Sequence, residues 1–331
     1  MSRAVQIAVS LLITAAALWY SLHGVEFGQF LHDLRDARWV WIGPIALAAV
    51  ASLWLRALRW KILLETLGPL GDTPVFDATN IGFMGNMVLP LRAGEAIKPI
   101  VVARAGRVSI PAALATVALE RVCDLIMLGL IGVVTLALVP QADFLQGKTN
   151  VVLAGVGVAL VGIIVVIRLA PWLEKQLDVV SGWLPAFLGR IVNEAGRGFL
   201  HSLSGLADLR VLVPVFLYSA LIWIDAAAGF MAVALALDVS APLIPLGFAT
   251  TVIVALAVSV PSAPGFIGVF WAGSELALGL FDVDKSMGFT FGVLSWIVQL
   301  IVIVAMGLWS MSRLNLSLGD MRNAASSQEA S

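Results

Sequence analysis

The sequence predicts an all-α protein, a polytopic integral membrane helical bundle. Hydrophobic residues make up 60% of the 331 residues and charged residues 12%, whereas a soluble domain averages roughly half and a quarter. The mean hydropathy is +0.99. Several uncharged stretches reach the ~20 residues that a helix needs to cross the hydrocarbon core. We therefore expect about seven or eight membrane segments, two of them broken or re-entrant.

Composition also excludes several classes of function. The formal net charge is -1, so the chain carries no basic excess that would favour nucleic acid. The single cysteine, Cys123, excludes an intramolecular disulfide and a multi-cysteine metal site. We expect no nucleic-acid partner, no bound metal and no cofactor.

Six apolar stretches are long enough to span a bilayer at about 1.5 Å per residue. They are residues 4–22, 39–55, 125–142, 149–167, 211–237 and 286–312. The first follows Arg3 and resembles a signal peptide, but it is long for a signal core and no Ala-x-Ala cleavage site follows it. We interpret it as a retained first span.

Two other regions are apolar but interrupted by helix-breaking residues, the first within residues 79–106 and the second within residues 239–281. In a bilayer, irregular backbone persists only where protein buries it or where it lines a watery cavity. Both regions are therefore predicted to be broken or hairpin elements, although the second also fits two full spans joined by a tight turn. The breaks are Pro90, Gly94, Pro261 and Gly265.

The two breaks share a spacing of four residues between proline and glycine, which suggests an internal repeat. The halves would be residues 1–170 and 211–318, within one transmembrane domain that covers residues 1–318. Interrupted segments at corresponding places in two halves are typical of the central site of a transporter.

Basic residues are distributed unevenly between the loops, and Lys and Arg accumulate on the cytoplasmic side of membrane proteins. A cytoplasmic N-terminus places fourteen of them inside: Arg3, Arg56, Arg59, Lys61, Lys98, Arg104, Arg107, Arg168, Lys175, Arg190, Arg197, Arg210, Arg313 and Arg322. Four then lie outside: Arg35, Arg38, Lys148 and Lys285. This asymmetry predicts cytoplasmic N- and C-termini. The two broken regions then enter from opposite faces, as an inverted repeat requires.

Residues 171–209 are too polar to span and mix aromatic with basic side chains. We interpret them either as interfacial helices on the cytoplasmic surface or as an ordinary amphipathic linker. Residues 319–331 are polar and predicted to be a disordered tail.

Seven ionisable side chains fall at membrane depth, and at roughly 3 kcal/mol each they would cost about 20 kcal/mol if unpaired. Most must therefore be paired or hydrated. Spacings of three and four residues bring Arg121 and Glu120 close to Asp124 on one helix. The seven are Arg92, Glu95, Glu120, Arg121, Asp124, Asp225 and Glu275.

Two interpretations fit the cluster beside the first break. In the functional one, Arg92 and Arg121, with Lys98, bind a lipid phosphate, because the guanidinium fork matches two phosphate oxygens. The carboxylates then balance these charges or receive a cationic headgroup. In the structural one, the same residues form a buried ion-pair network that fixes helix register. We favour binding, because a polar cluster beside a backbone break is poor design for stability alone.

Other polar residues have less specific roles. Asn86 is expected to bond either the backbone freed at Pro90 or a headgroup. Asp225 lies mid-span and is either a site residue or the partner of an arginine elsewhere. Glu275 is expected near the membrane surface and outside the site. Snorkelling and interfacial anchoring account for the three residues that end the second span, Arg56, Arg59 and Trp60.

Four motifs, in this order, resemble those of one family. They are Arg56-Ala-Leu-Arg59-Trp60, Asn86-x-x-Leu89-Pro90-x-Arg92-x-Gly94-Glu95, Glu120-Arg121-x-x-Asp124 and Pro261-x-x-Pro264-Gly265-x-x-Gly268. Together they are similar to the lysylphosphatidylglycerol synthase transmembrane-region family, the membrane half of bacterial multiple peptide resistance factors. The family also occurs as stand-alone proteins, some linked to hopanoid biosynthesis. The resemblance covers nearly the whole chain and implies a location in the bacterial cytoplasmic (inner) membrane.

In two-part members of that family, the membrane region is implicated in flipping an aminoacylated phospholipid that a separate soluble domain makes. We expect this chain to be a stand-alone member without the synthase domain. The acidic residue expected soon after Gly268 is missing, since Glu275 comes later. The resemblance implies a polar site formed by Arg92, Glu95, Glu120, Arg121 and Asp124, with Asn86 and the two breaks shaping it.

The leading hypothesis is therefore a lipid translocase and not an enzyme, which passes a headgroup through a polar cavity while the tails stay in the bilayer. The lipid would be a phospholipid, a hopanoid or a polyprenyl-linked lipid, and a second copy or a lipid-synthesis enzyme are the expected protein partners. An integral-membrane enzyme that modifies lipid headgroups is the first alternative. A non-transporting scaffold for a lipid-synthesis complex is the second.

Overall fold

We analysed a computed structural model that describes residues 3–104, 108–139 and 149–316. These residues form twelve α-helices and no strand, which confirms the predicted all-α class. The helices are α1 Arg3–Leu22, α2 Phe27–Asp36, α3 Ile42–Glu65, α4 Asp72–Val88, α5 Gly94–Ala103, α6 Ile110–Leu138, α7 Thr149–Gly182, α8 Ala186–Gly205, α9 Leu209–Ala236, α10 Leu243–Ser259, α11 Val269–Gly279 and α12 Lys285–Arg313.

Side-chain caps start three of the long helices. Ser109 accepts a hydrogen bond from the backbone N–H of Ala112 and starts α6. Asp208 and Asp284 cap α9 and α12 in the same way. A cap oxygen satisfies one of the backbone donors left free in a first helical turn. Because α6 starts at Ile110, its polar cluster lies inside a continuous helix rather than ahead of a span.

Four helical segments of the described residues are long and apolar enough to cross a membrane: Trp39–Glu65, Ile110–Leu138, Leu209–Ala236 and Lys285–Arg313. A fifth is added if α1 and α2, bent by 78° at a short break, count as one. These spans agree with the predicted polytopic membrane protein.

Two helical hairpins complete the bundle. In the first, α4 and α5 pack antiparallel, and in the second, α10 and α11 do so. The helix α11 has 11 residues, about 16 Å at 1.5 Å per residue, and cannot cross about 30 Å of hydrocarbon. Residues 239–281 therefore form a hairpin and not two full spans.

The tips of the two hairpins meet. Each tip is a single 3-10 turn, Pro90–Arg92 in the first hairpin and Pro264–Phe266 in the second, and the two turns are in contact. Each turn ends on a residue with positive φ, 54° at Arg92 and 58° at Phe266. The chain can therefore reverse at each tip without leaving the bundle.

This geometry corrects the register predicted for the second break. The equivalent of Pro90 is Pro264, because both start the 3-10 turn of their hairpin. Pro261 instead precedes the turn, and Gly265 lies inside it with φ of 69°. The sequence allowed either match because Pro261 to Gly265 and Pro264 to Gly268 have the same spacing.

The helices around the hairpins are paired as a repeat predicts. The helices α3 and α9 pack against each other at the centre, α4 packs on α12, and α10 packs on α6. Each hairpin thus packs on a long helix of the other predicted half. The repeat itself, with halves 1–170 and 211–318, stays a prediction that this pairing supports.

One boundary of the predicted interfacial region is wrong. The helix α7 continues through Pro171 to Gly182, so residues 171–182 extend a long helix rather than starting a separate one. Only α8 is an independent helix, and Arg197 ties it to Asp178 of α7 at 2.7 Å. Its place on the membrane surface stays a prediction. The tail predicted at residues 319–331 lies outside the described residues.

Candidate functional site

A cavity of about 430 Å³ lies at the hairpin tips, lined by residues from both hairpins. Its walls come from α3, α4, α5, α6, α9, α10, α11 and α12. Most of the lining is apolar, so the polar side chains that reach it are few and specific.

The cavity brings together most of the polar residues predicted from the sequence. Glu120 is the exception, since it lies behind the wall with a side chain only 2% exposed. Of the break residues, Gly94 lines the cavity, whereas Pro90, Pro261 and Gly265 shape the tips beside it. The predicted residues that line it are Asn86, Arg92, Glu95, Lys98, Arg121, Asp124 and Asp225.

A buried ion-pair network lies behind one wall, with Arg59 at its centre. The Arg59 side chain is 0% exposed, and its Nη1 donates to Asp124 Oδ1 at 2.6 Å. Its Nη2 lies 3.4 Å from Glu120 Oε1, and Nη1 also donates to Ser219 Oγ at 3.2 Å. Arg121 adds a second cation to Asp124, at 3.4 Å. This network links α3, α6 and α9.

Lys98 joins the network from the first hairpin. Its Nζ donates to Glu120 Oε2 at 2.6 Å and lies 3.9 Å from the ring centroid of Trp60. The indole N–H of Trp60 donates in turn to Thr116 Oγ1 at 2.8 Å. The hairpin is therefore anchored to α3 and α6 by charge, cation–π contact and hydrogen bonding together.

These contacts correct the interpretation of Arg56, Arg59 and Trp60 as interfacial anchors. Arg59 and Trp60 are fully buried, and Arg56 lines the cavity. The helix α3 continues to Glu65, so the pair of arginines sits inside the bundle rather than at its edge. The arginines are three residues apart and Glu120 and Asp124 are four apart, so each pair shares one helix face, and this was the available signal.

Two cavity arginines have no carboxylate partner among the described residues. Arg56 Nε donates to Ser52 Oγ at 3.3 Å, and its guanidinium lies 5.3 Å from the ring centroid of Phe83. Arg92 donates to the carbonyl oxygen of Val258 and lies 5.4 Å from the ring centroid of Phe266. Both guanidinium groups therefore keep free donors beside the cavity.

Acidic and neutral polar side chains complete the lining of the cavity. Glu95 and Asp225 reach the cavity without an ion pair among the described residues, and Asp225 Oδ2 is buried without a hydrogen-bond donor. Gln299 and Ser295, which sequence reasoning missed, add neutral groups from α12. No sequence signal marked them, because isolated neutral polar residues are common in spans.

The cavity is open on one side of the bundle. Leu125 of α6 and Ser259 of α10 both line it, and both are exposed on the surface of the protein. The cavity therefore opens to the outside of the bundle near Leu125 and Ser259, beside the contact between α6 and α10.

Glu275 lies outside the cavity and is buried inside the bundle, while its place near the membrane surface stays a prediction. Its side chain is 2% exposed, with Lys285 Nζ at 3.9 Å. Residues suited to a metal are missing from the described parts of the chain, where no group of three or more His, Cys, Asp or Glu side chains converges.

Comparison with known proteins places this geometry in a family. The family model of the lysylphosphatidylglycerol synthase transmembrane region matches residues 7–307. The chain belongs to this family. The family predicted from the motifs is thereby confirmed, together with a multi-pass membrane location and a lipid-related function. The roles of the individual cavity residues stay predictions.

One curated relative is a protein named glycosyltransferase AglD, from Haloferax volcanii. It is 28% identical over 352 aligned residues, which cover 96% of this chain and 56% of the relative. The chain thus spans about half the length of that protein. No solved structure matches the chain.

Proposed function

We propose that this member of the lysylphosphatidylglycerol synthase transmembrane-region family is a lipid translocase, not an enzyme. It moves a phosphate-bearing headgroup between leaflets through the cavity at the hairpin tips. The observation that carries the proposal is the position of Arg56 and Arg92, two cavity arginines without carboxylate partners in the described chain.

The charges around the cavity favour an anionic group. Arg56, Arg92 and Arg121 line it, while Lys98 and Arg59 are already engaged by Glu120 and Asp124. A guanidinium binds phosphate oxygens bidentately and loses little hydration when it does so. Phospholipids and polyprenyl-linked lipids carry such a phosphate, which makes both better candidates than an uncharged hopanoid.

The side opening suits a molecule with long apolar tails. A headgroup in the cavity can leave its acyl chains outside, beside α6 and α10, where Leu125 and Ser259 are exposed. Tails that stay in hydrocarbon avoid the cost of hydration, so the protein has to shelter only the headgroup.

We place the protein in the cytoplasmic membrane, with its N- and C-termini in the cytoplasm, on the asymmetry of basic residues. Single cysteines introduced at His23 and Trp183 in a Cys123→Ala background test this orientation. A membrane-impermeant maleimide applied to intact spheroplasts should label position 23 and not position 183. The reverse pattern would invert the assignment.

Lipid movement in proteoliposomes tests the function. Tail-labelled fluorescent phosphatidylglycerol, phosphatidylethanolamine and a phosphate-free diglycosyl lipid are incorporated, and dithionite bleaches the outer leaflet. Wild-type protein should expose inner-leaflet label of the two phospholipids. Arg92→Ala, Arg56→Ala and Glu95→Ala should slow this by about tenfold or more, since hydrogen bonds to charged groups contribute about 1.5–3 kcal/mol.

The matched control is Arg38→Ala, because Arg38 is 57% exposed and pairs with Asp238 away from the cavity. It should transport as the wild type does. Equal movement of the phosphate-free lipid would refute the phosphate assignment, and an absence of movement for every lipid would refute the translocase.

The name of the Haloferax relative favours one alternative, an integral-membrane enzyme that modifies a lipid headgroup with Glu95 as general base. The Arg92→Ala variant separates the three classes. Loss of movement in a folded variant supports the translocase, loss of a lipid product supports the enzyme, and loss of folding alone supports a scaffold.

A further inference from the structure

The carboxyl group of Glu275 is buried in the second hairpin, towards the end that lies away from the tip. The proposed mechanism does not use it. Its side chain is 2% exposed. Neither carboxylate oxygen has a hydrogen-bond partner among the described residues. The Ser21 hydroxyl is the nearest donor, and it is shared between Glu275 and the carbonyl oxygen of Gly268, which lies 3.5 Å away.

The nearest cation is committed elsewhere. Lys285 Nζ lies 3.9 Å from Glu275 Oε2, beyond hydrogen-bonding distance. The same ammonium donates to the carbonyl oxygens of Tyr20 and His23 and lies 4.3 Å from the ring centroid of Tyr20. These carbonyls belong to the C-terminal end of α1, which a cation stabilises. Lys285 therefore caps α1 and is only a shared and distant counter-ion for Glu275.

No other charged group of the described chain compensates the carboxyl group. Tyr20 faces it from α1, with a neutral phenol, and α10 carries no ionisable residue. From α2, Asp33 accepts a hydrogen bond from Thr290 of α12 and is itself acidic. Trp271, one turn before Glu275 on α11, has an indole N–H without an acceptor.

An ionised carboxylate in this place would lack both hydrogen bonds and a dedicated counter-ion, which is costly in an apolar interior. A neutral carboxyl group removes most of that cost and gains an O–H donor. We propose that Glu275 is a proton-binding site that holds its proton in the conformation described here. It releases the proton to water when the second hairpin moves away from α12.

The position of Glu275 connects this site to the cavity. Trp271 packs edge-on against Trp296 with ring centroids 5.7 Å apart, and the Trp296 N–H donates to Gly265 O at 2.6 Å. Gly265 precedes Phe266, the tip residue over which Arg92 lies. Ionisation of Glu275 therefore acts on the hairpin whose tip forms one wall of the cavity. A second step of the inference follows, in which this proton is the ion that couples a gradient to lipid movement. This second step rests on the proposed translocase.

Infrared difference spectroscopy of the full chain in lipid tests the first step without any transport. When the buffer is changed from mildly acidic to alkaline, the spectrum of wild-type protein should lose the carbonyl stretching band of a protonated carboxyl group in an apolar environment. Glu275→Gln should lack that band, and Asp282→Asn, which changes an exposed carboxylate just after α11, should keep it. An unchanged band in Glu275→Gln would overturn the proton site, as would a wild-type spectrum without the band.

The second step is tested by lipid movement under a pH gradient. Wild-type vesicles should move labelled phosphatidylglycerol faster with the gradient than without it. In Glu275→Gln the two rates should become equal while movement persists, since glutamine mimics the neutral state. A gradient response retained in Glu275→Gln would overturn the coupling. If wild-type protein moves no lipid at all, the translocase is refuted. The infrared result then decides the proton site by itself.

Discussion

Arg59 and Asp124 are 65 residues apart in the chain, yet Nη1 of the arginine donates to the carboxylate of Asp124 at 2.6 Å inside the bundle. The arginine is fully buried and also reaches Glu120 at 3.4 Å. One side chain of α3 thus compensates two carboxylates of α6. The cavity wall depends on this compensation, because Asp124 also lines the cavity.

We expect Arg59→Ala to destabilise the protein strongly. Breaking a buried ion pair on one side costs about 3–5 kcal/mol, because the remaining charge is left uncompensated. Arg38→Ala is the matched control, since its pair with Asp238 is solvent-exposed and should contribute about 0–1 kcal/mol. Thermal unfolding in detergent measures both. Equal loss of stability in the two variants would contradict the central place of Arg59.

Lys98 and Glu120 should behave as a coupled pair. Lys98→Met and Glu120→Gln each leave a buried group without its partner, whereas the double variant removes both charges. We therefore expect a coupling energy of about 0.5–3 kcal/mol in a double-mutant cycle. The exposed pair Arg197 and Asp178 serves as the control cycle and should show no measurable coupling. Additive effects for Lys98 and Glu120 would show that the cation–π contact with Trp60 dominates instead.

The sequence predicted the first break and the cluster on α6 because both depend on local chemistry. Pro90 removes a backbone donor wherever it stands, and Glu120, Arg121 and Asp124 share a helix surface by spacing alone. Membrane depth then follows from the apolar residues around them. When the first hairpin closes on α6, Arg121 and Asp124 line one cavity with Arg92, while Glu120 pairs with Lys98 behind its wall.

Arg56 and Arg59 were misplaced because the sequence does not show where a helix ends relative to the membrane. The apolar stretch stops at residue 55, but α3 continues to Glu65, and the carboxylates that hold Arg59 lie on another helix. Basic residues at the end of an apolar stretch look the same whether they snorkel or turn inward. Only the tertiary pairing distinguishes the two.

The burial of Glu275 and the register of the second break were missed for a similar reason. The burial of Glu275 depends on how α1 and α12 pack around it, and this is invisible in a single segment. The register of the break depends on which residues take positive φ, and these include the bulky Phe266 beside Gly265. Positive φ at a bulky residue is uncommon, so no propensity would have selected it.

Close packing inside the first hairpin gives a third prediction. A Cβ added to Gly94 would lie 1.8 Å from the carbonyl oxygen of Gly82 and 2.7 Å from the backbone N of Asn86. Both contacts are with backbone and cannot be relieved by a rotamer change. Gly94→Ala should therefore force the hairpin apart and cost about 1–3 kcal/mol or more.

The control for Gly94 is another helical glycine. A Cβ at Gly132 of α6 would meet nothing within 4 Å, so Gly132→Ala should stabilise the protein by about 0.5–1 kcal/mol through helix propensity. Thermal unfolding in the same detergent compares the two. If Gly94→Ala is as stable as the wild type, α4 and α5 do not pack as closely as the structure shows.

Arg92 allows backbone strain to be separated from charge at the hairpin tip. Its φ of 54° is reached by glycine at little cost, whereas alanine and arginine must be held there at about 1–3 kcal/mol. Arg92→Gly should therefore be more stable than Arg92→Ala by about 1 kcal/mol, although both lose the guanidinium. Both should show the same loss of lipid movement, because that loss follows the charge. If Arg92→Gly instead kept wild-type movement while Arg92→Ala lost it, the tip would act through its backbone conformation and the guanidinium would have no part in binding the headgroup.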